Sequence, residues 1–491
     1  MIEGYLDLAR VHAALLVVSL PFLGAALATA IGHSRLSWAI ASLAGIVTAI
    51  IAVDLCVRTL RGGSALILAH EGLAIEADGL GAFALALVAS AMALTAISAQ
   101  AFFGGAGRAA AAFSPALVLA LGGAWSGAVL ARDFTTLFVF VEIAWFASVG
   151  LVAVSSYRSR GALNGALRMA TLGGVAAAFF LLGVALAERA LGSGTIATIA
   201  SQRIVAPNMA AVGLALMLVA LACKAGLAPL NAWAAATYGK ASGFATLSLC
   251  AVGASGAMFA LVHVATAALA APAIGAGVGL ALSVLGVTSA VIGSVQAIGA
   301  GNIWRLAAYS GAAQMGCVVL AIALGSPAGI EAALIQTVAL SASLVAIVGG
   351  ASLSGADARM TSLDGLGRRA PFAGIVMTAG ALSLMGAPLT LSFLGRWRLV
   401  EAALGIGWWW VAAAAIVLSL AGSYYGGRLI ERIYFRHATQ SLAEAGDGLR
   451  WKFALAPALV AAFIAIASAV EPTLLLHAVS AASQMIMDRA Q

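Results

Sequence analysis

Three ionisable side chains stand in stretches otherwise apolar enough to cross a membrane. Glu142 lies in LFVFVEIAWFASVG, Lys224 in LACKAGLAPL and Arg396 in LSFLGRWRLV. A charge at the centre of a membrane helix costs about 2.5–3.5 kcal/mol on insertion scales, so a segment needed only to span would carry leucine there. A carboxylate and an ammonium at that depth either form a fixed pair that orients helices or pass a proton between them. Arg396 differs, because a guanidinium stays protonated at any accessible pH. It can hold an anion or a chain of water, but it does not hand on its proton. Asp54 and Arg398 read as solvated ends of their segments.

Two of these charges sit beside breaks. KAGLAPLNAW places Pro229 after Lys224, and MGAPLTLSFLGRW places Pro388 before Arg396; both contain Ala-Pro-Leu. Proline removes a backbone donor and clashes with the preceding turn, so each segment is expected to kink or unwind there. Unwound backbone at membrane depth is tolerated only against protein or a wet cavity. Two interrupted, charge-bearing segments in separate halves of a chain point to a transporter built from inverted repeats.

The elements that must position these residues are helices throughout. The chain has 491 residues, 63% hydrophobic and only 9% charged, with a mean hydropathy of +1.07. A soluble domain carries roughly 25% charged residues. About fourteen apolar stretches of span length recur, near 12–31, 37–57, 80–100, 112–130, 134–154, 164–187, 207–228, 242–269, 272–298, 303–324, 329–352, 371–402, 408–430 and 452–470. The composition therefore predicts an all-α polytopic membrane protein, residues 1–491 forming a single transmembrane domain. The opening MIEGYLDLAR is acidic-mixed, so the first stretch reads as a span and not as a cleaved signal.

The formal charge of +7 follows from topology. With the N-terminus outside, Arg158, Arg160, Arg168, Arg305, Arg359, Arg368, Arg369, Arg432 and Arg436 all fall on inner loops, which is the positive-inside bias. An even number of spans returns the C-terminus to the outer side of a prokaryotic plasma membrane. Nucleic acid is not expected as a partner; lipid is. The four cysteines, Cys56, Cys223, Cys250 and Cys317, show no CxxC spacing, and the six histidines are scattered. No metal, iron–sulfur or other cofactor site is expected in this chain, nor a phosphate-cradling loop.

Several ordered motifs together resemble the antiporter-like membrane subunits shared by respiratory complex I, membrane-bound hydrogenases and Mrp-type sodium/proton antiporters. The similarity runs from about residue 74 to 435. FVFVEIAWFASVGLVAVSSYR carries the family's fifth-helix glutamate as Glu142, and CKAGLAPLNAWAAATYG its seventh-helix lysine as Lys224. NIWRLAAYSGAAQMG resembles the entry to the tenth helix, and TSLDGLGRRAPFAGIVMTAGALSLMGAPLTLSFLGRW the eleventh-to-twelfth stretch. The resemblance implies fourteen helices with helices seven and twelve broken. It divides the chain into 1–111 (helices one to three), 112–270 (first repeat), 271–435 (second, inverted repeat) and 436–491 (helix fourteen and a tail, read as a short amphipathic surface helix).

The departures bear on function. Relatives usually have a basic residue in the eighth helix, where this chain offers Ala254 or Ser255, and often a histidine and a lysine in the eleventh, where Val338 and Ala342 stand. Asn231 and Gln314 replace frequent histidines, and Arg396 replaces the twelfth-helix lysine or glutamate. The implied function is proton, or cation/proton, translocation within a multi-subunit membrane complex, centred on Glu142 and Lys224. Arg396 would anchor or gate the outer half. Asn231, Ser255, Gln314 and Gln336, with the breaks at Pro229 and Pro388, would carry or gate water. Two alternatives stand beside this reading: a non-pumping structural or coupling subunit of such a complex, and a subunit for anion or inorganic-carbon transport.

Overall fold

The computed structural model describes residues 12–62, 66–70, 73–102, 108–155, 160–200, 204–353, 359–437 and 450–490. MIEGYLDLAR and Arg158, used above for topology, lie outside the described residues. The chain opens with helices α1 (Ala13–Ile31) and α2 (Ser34–Gly62), then the hairpin strands β1 (Leu66–His70) and β2 (Leu73–Ala77). Helices α3 (Gly79–Phe102), α4 (Arg108–Val129), α5 (Phe134–Val154), α6 (Gly161–Leu191) and α7 (Pro207–Ala225) follow. A short α8 (Ala232–Tyr238) precedes α9 (Gly243–Leu269), which contains a π turn at Leu249–Gly253. Then come α10 (Gly275–Ile298), α11 (Ile303–Ala323), α12 (Pro327–Leu353), α13 (Pro371–Met385), α14 (Leu391–Gly405), α15 (Trp409–Tyr434), α16 (Arg450–Val470) and α17 (Thr473–Ala490).

Helices dominate because each satisfies its own backbone, which hydrocarbon cannot do for it. Among the described residues twelve helices are long and apolar enough to cross a membrane, or thirteen if the bent pair formed by α16 and α17 is one span. The sequence predicts about fourteen. The difference arises at the predicted twelfth span, which is divided into α13 and α14, fifteen residues each and too short to count singly.

Their ends are written in the sequence. Asp133 accepts from Thr136 N–H at 2.7 Å and starts α5, and Asn302 accepts from Trp304 N–H at 2.8 Å and starts α11, each filling an orphan donor of a first turn. Gly226 and Gly386, with φ of 84° and 71°, end α7 and α13 in the left-handed conformation that glycine adopts without cost.

Burial grades from centre to rim. The most apolar stretch of α12 is wholly buried, and α9 and α11 are 89% buried, whereas α6 is 33% and α1 39% buried. Glu142, Lys224, Ser255, Gln314 and Gln336 lie on α5, α7, α9, α11 and α12 and Arg396 on α14, and rim helices such as α1, α2 and α6 turn large aliphatic side chains outward. Small residues bring neighbours close, as in membrane helices generally. At the α6–α7 crossing, a Cβ on Gly183 would meet Gly213 O at 2.5 Å.

One element adds to the predicted fold, and the predicted tail helix takes a definite place on it. The hairpin was not expected, since a short apolar run does not separate strand from helix by period. Its β2 also bridges to the chain before α5, pairing Ile75 with Ala131, and the buried Glu76 carboxylate pairs with Arg132. The tail is a helix, α17, turned 87° from α16. It lies across the first turns of α3 and α12: a Cβ on Gly79 would touch Met485, and Ser483 Oγ donates to Glu331 Oε1 at 3.4 Å. The starts of α3 and α12 therefore share one face.

Candidate ion-translocation site

Lys224 is the penultimate residue of α7, immediately before the Gly226 turn, and its side chain is fully buried. Its Nζ lies 2.9 Å from Glu142 Oε1, on the middle of α5, and 4.7 Å from the centroid of the Trp145 ring. The sequence proposes the pair, and the structure brings the two groups together.

The break after Lys224 is tied down on several sides. Trp233, in α8, donates its indole N–H across the break to Cys223 O at 2.8 Å. The connecting chain passes through a cis Ala228–Pro229 bond. There the Ala228 N–H donates to Ser289 Oγ of α10 at 3.0 Å, and Ser289 donates on to Ala312 O of α11 at 2.8 Å. Asn231 donates to Gln296 Oε1 at 3.1 Å. Pro229 itself faces outward, as does Pro388 in the second break.

Arg396 sits one turn into α14, and its guanidinium reaches back over the second break. Nη1 donates to Met385 O and Ser419 Oγ, both at 2.8 Å; Nη2 donates to Leu384 O at 2.7 Å and Gln314 Oε1 at 2.9 Å. No carboxylate pairs with it among the described residues. The cation is held instead by the carbonyls that end α13, the negative end of that helix. Gln314 also donates to Leu384 O at 3.1 Å, and Gln336 donates to Gln314 Oε1 at 2.8 Å and Ser392 Oγ at 3.0 Å. Gln314 and Gln336 thus gather on Arg396.

The remaining candidates bond elsewhere. Ser255 returns its hydroxyl to Ala251 O of its own helix at 2.7 Å. Between the Lys224 break and α11 lies a cavity of about 20 Å³ lined by Gly226, Trp233, Ala254, Gly311, Met315 and Leu344, among others. That is space for about one water, among apolar side chains with polar atoms also on its walls. Val338 and Ala342 line a second, mainly apolar cavity of about 60 Å³, beside Thr95 of α3 and Pro457 of α16. Asp54 pairs with Arg58 at 2.8 Å on the exposed side of α2, and Arg398 with Glu401 at 3.6 Å on an exposed face of α14.

Sequence reasoning did not single out Trp145, Trp233, Ser289, Ser392 or Ser419. Trp145 carried a usable signal, since three residues after Glu142 is the same helix face. The others meet their partners only through tertiary packing.

The chain matches, over residues 131–422, the family described as NADH:quinone oxidoreductase/Mrp antiporter, TM. It belongs to this family. The antiporter-like chain is 33% identical over 344 residues to the NADH-quinone oxidoreductase subunit N of Geobacter metallireducens, covering 68% of this chain and 71% of that one. Its fold superposes on a chain of the Mrp complex from Dietzia sp. DQ12-45-1b with a TM-score of 0.86 at 24% identity, covering 98% of each. A chain of respiratory complex I from Thermus thermophilus gives 0.77 at 23% identity, over 94% of this chain and 98% of that one. The family member described here is thus an antiporter-like, polytopic membrane subunit with its two charged breaks in place.

Proposed function

We propose that this chain is the proton-translocating, or cation/proton-translocating, membrane subunit of a multi-subunit complex. The complex is of the NADH:quinone oxidoreductase, membrane-bound hydrogenase or Mrp antiporter kind. Glu142 and Lys224 form its transfer centre, other membrane subunits are its partners, and redox cofactors belong to those other subunits. Both termini lie on the outer side of a prokaryotic inner membrane. The observation that carries this reading is the buried Lys224–Glu142 contact at the end of a broken helix. A lysine and a carboxylate both exchange protons, and the break beside them lets the lysine move without melting a whole helix. Lys224→Ala in the assembled complex is expected to abolish ion movement while assembly persists. Normal transport in that variant overturns the reading.

One set of observations favours the coupling or structural reading instead. Arg396 is anchored by neutral acceptors, Gln314 and Gln336 do not titrate, and the cavity beside the first break has room for only about one water. On that reading the ion pair is only an orienting contact. Glu142→Gln combined with Lys224→Met would then transport as the wild type does, and loss of transport in the double variant removes this alternative.

A further inference from the structure

Glu142 and Trp145 rise on one face of α5, and the Lys224 ammonium touches both. A cation within about 6 Å of an indole centroid is drawn to the ring face. This indole is fixed on its other sides. Its N–H donates to Met169 O of α6 at 3.1 Å, and a Cβ on Gly173 would fall 1.7 Å from the same nitrogen, so the bare glycine leaves its room. Trp233 stands edge-on to it, ring centroids 5.0 Å apart at 83°, while capping the end of α7 through Cys223 O. The ring that faces Lys224 is therefore held in place by α6 on one side and by Trp233, beyond the break, on the other.

We propose that Trp145 is a positioning residue for Lys224: its ring face is the ammonium's second partner, keeping it at the break when Glu142 takes up a proton. This rests on the reading that the pair exchanges protons. A proton arriving from water neutralises the Glu142 carboxylate, Lys224 keeps its own proton, and an ammonium at membrane depth is left without its counter-charge. Leaving a buried charge unpaired is what destabilises such sites most. The indole quadrupole supplies partial compensation and does not itself titrate, so it is present in every protonation state of the pair. Simple space filling would ask only for an apolar group of similar size at 145. A seat for the cation asks for an aromatic face.

The test uses Trp145→Phe, which keeps a face, and Trp145→Leu, which does not. Both are measured beside Lys224→Ala in inside-out vesicles holding the assembled complex, with a pH-sensitive dye reporting proton movement. Trp145→Leu is expected to slow the initial rate about fivefold or more, the scale of one cation–π contact, with the complex intact, and Trp145→Phe to retain most of it. Equal rates in the two variants overturn the proposal while leaving the Lys224 reading in force if Lys224→Ala is dead. Thermal unfolding of the purified full chain reads the contact independently of transport. The Leu variant should melt several degrees below the Phe variant with Lys224 present, and this gap should close in a Lys224→Met background. A gap unchanged by Lys224→Met overturns the proposal whatever the transport result.

Discussion

Arg396 Nη2 donates to Leu384 O at 2.7 Å, so a side chain of one half-helix closes the end of the half-helix before it. The first break uses the same device with a neutral donor, Trp233 Nε1 to Cys223 O. In the first half the cation, Lys224, precedes the break and stays available to a carboxylate. In the second the cation follows the break and is consumed in capping carbonyls. This separates a cation left in contact with a carboxylate from one spent on capping carbonyls.

Arg396→Met removes four hydrogen bonds from a buried site and takes the guanidinium donor from Met385 O, while Leu384 O keeps Gln314 and Gln314 Oε1 keeps Gln336 as donors. It is expected to destabilise the purified chain by about 3 kcal/mol. Arg396→Lys keeps the charge but cannot reach all four acceptors, and should lose roughly half as much. Unfolding curves of the two variants in detergent check the order; an Arg396→Met chain as stable as the wild type would show that the clamp does not hold the break.

Trp233→Phe preserves most of the ring but removes the donor to Cys223 O. The expected cost is about 0.5–1.5 kcal/mol, that of one hydrogen bond, because Cys223 O still accepts from the Gly226 N–H at 3.1 Å. The edge-to-face contact with Trp145 remains available to phenylalanine, so the loss should show in stability and only weakly in assembly. Thermal unfolding beside the wild type measures it.

The Lys224–Glu142 pair should behave as a coupled unit. Lys224→Met or Glu142→Leu alone leaves a buried partner uncompensated, at about 3–5 kcal/mol if it stays charged. The double replacement should recover most of that stability, and a double-mutant cycle gives the coupling directly. Additive losses in the cycle would mean that the two groups are not in contact in the folded chain.

Gly173→Ala is expected to be costly although alanine is the better helix former. The new Cβ would stand 1.7 Å from Trp145 Nε1, so the indole must leave its seat. Overpacking of this kind costs about 1–3 kcal/mol. Gly174, next to it, has nothing within 4 Å of an added Cβ, and Gly174→Ala should be neutral or slightly stabilising. Unfolding midpoints of the two variants should therefore shift in different directions or by very different amounts.

The class of fold, the neighbourhood of the breaks and the charged residues of the first site were legible in the chain itself. Composition and run length demand membrane helices, because hydrocarbon accepts little else. Glu142, Lys224 and Arg396 stand out because a charge at that depth is too costly to be idle. Gly226, Pro229, Gly386 and Pro388 announce where the helices stop, since their backbone preferences are local. The β1–β2 hairpin is less visible, because short apolar runs do not declare their period.

Partner choice belonged to the tertiary structure. Nothing local tells Arg396 to bond with Gln314, 82 residues away, or Ala228 with Ser289, 61 residues away. A guanidinium in a chain of this composition looks like a holder of an anion or a chain of water until its acceptors are seen to be carbonyls, an amide and a hydroxyl. Trp145 looks like one more apolar residue of α5 until Lys224 is found over its face. Sequence sets which groups are present and how much their burial costs; only the packing of distant helices decides which of them compensates which.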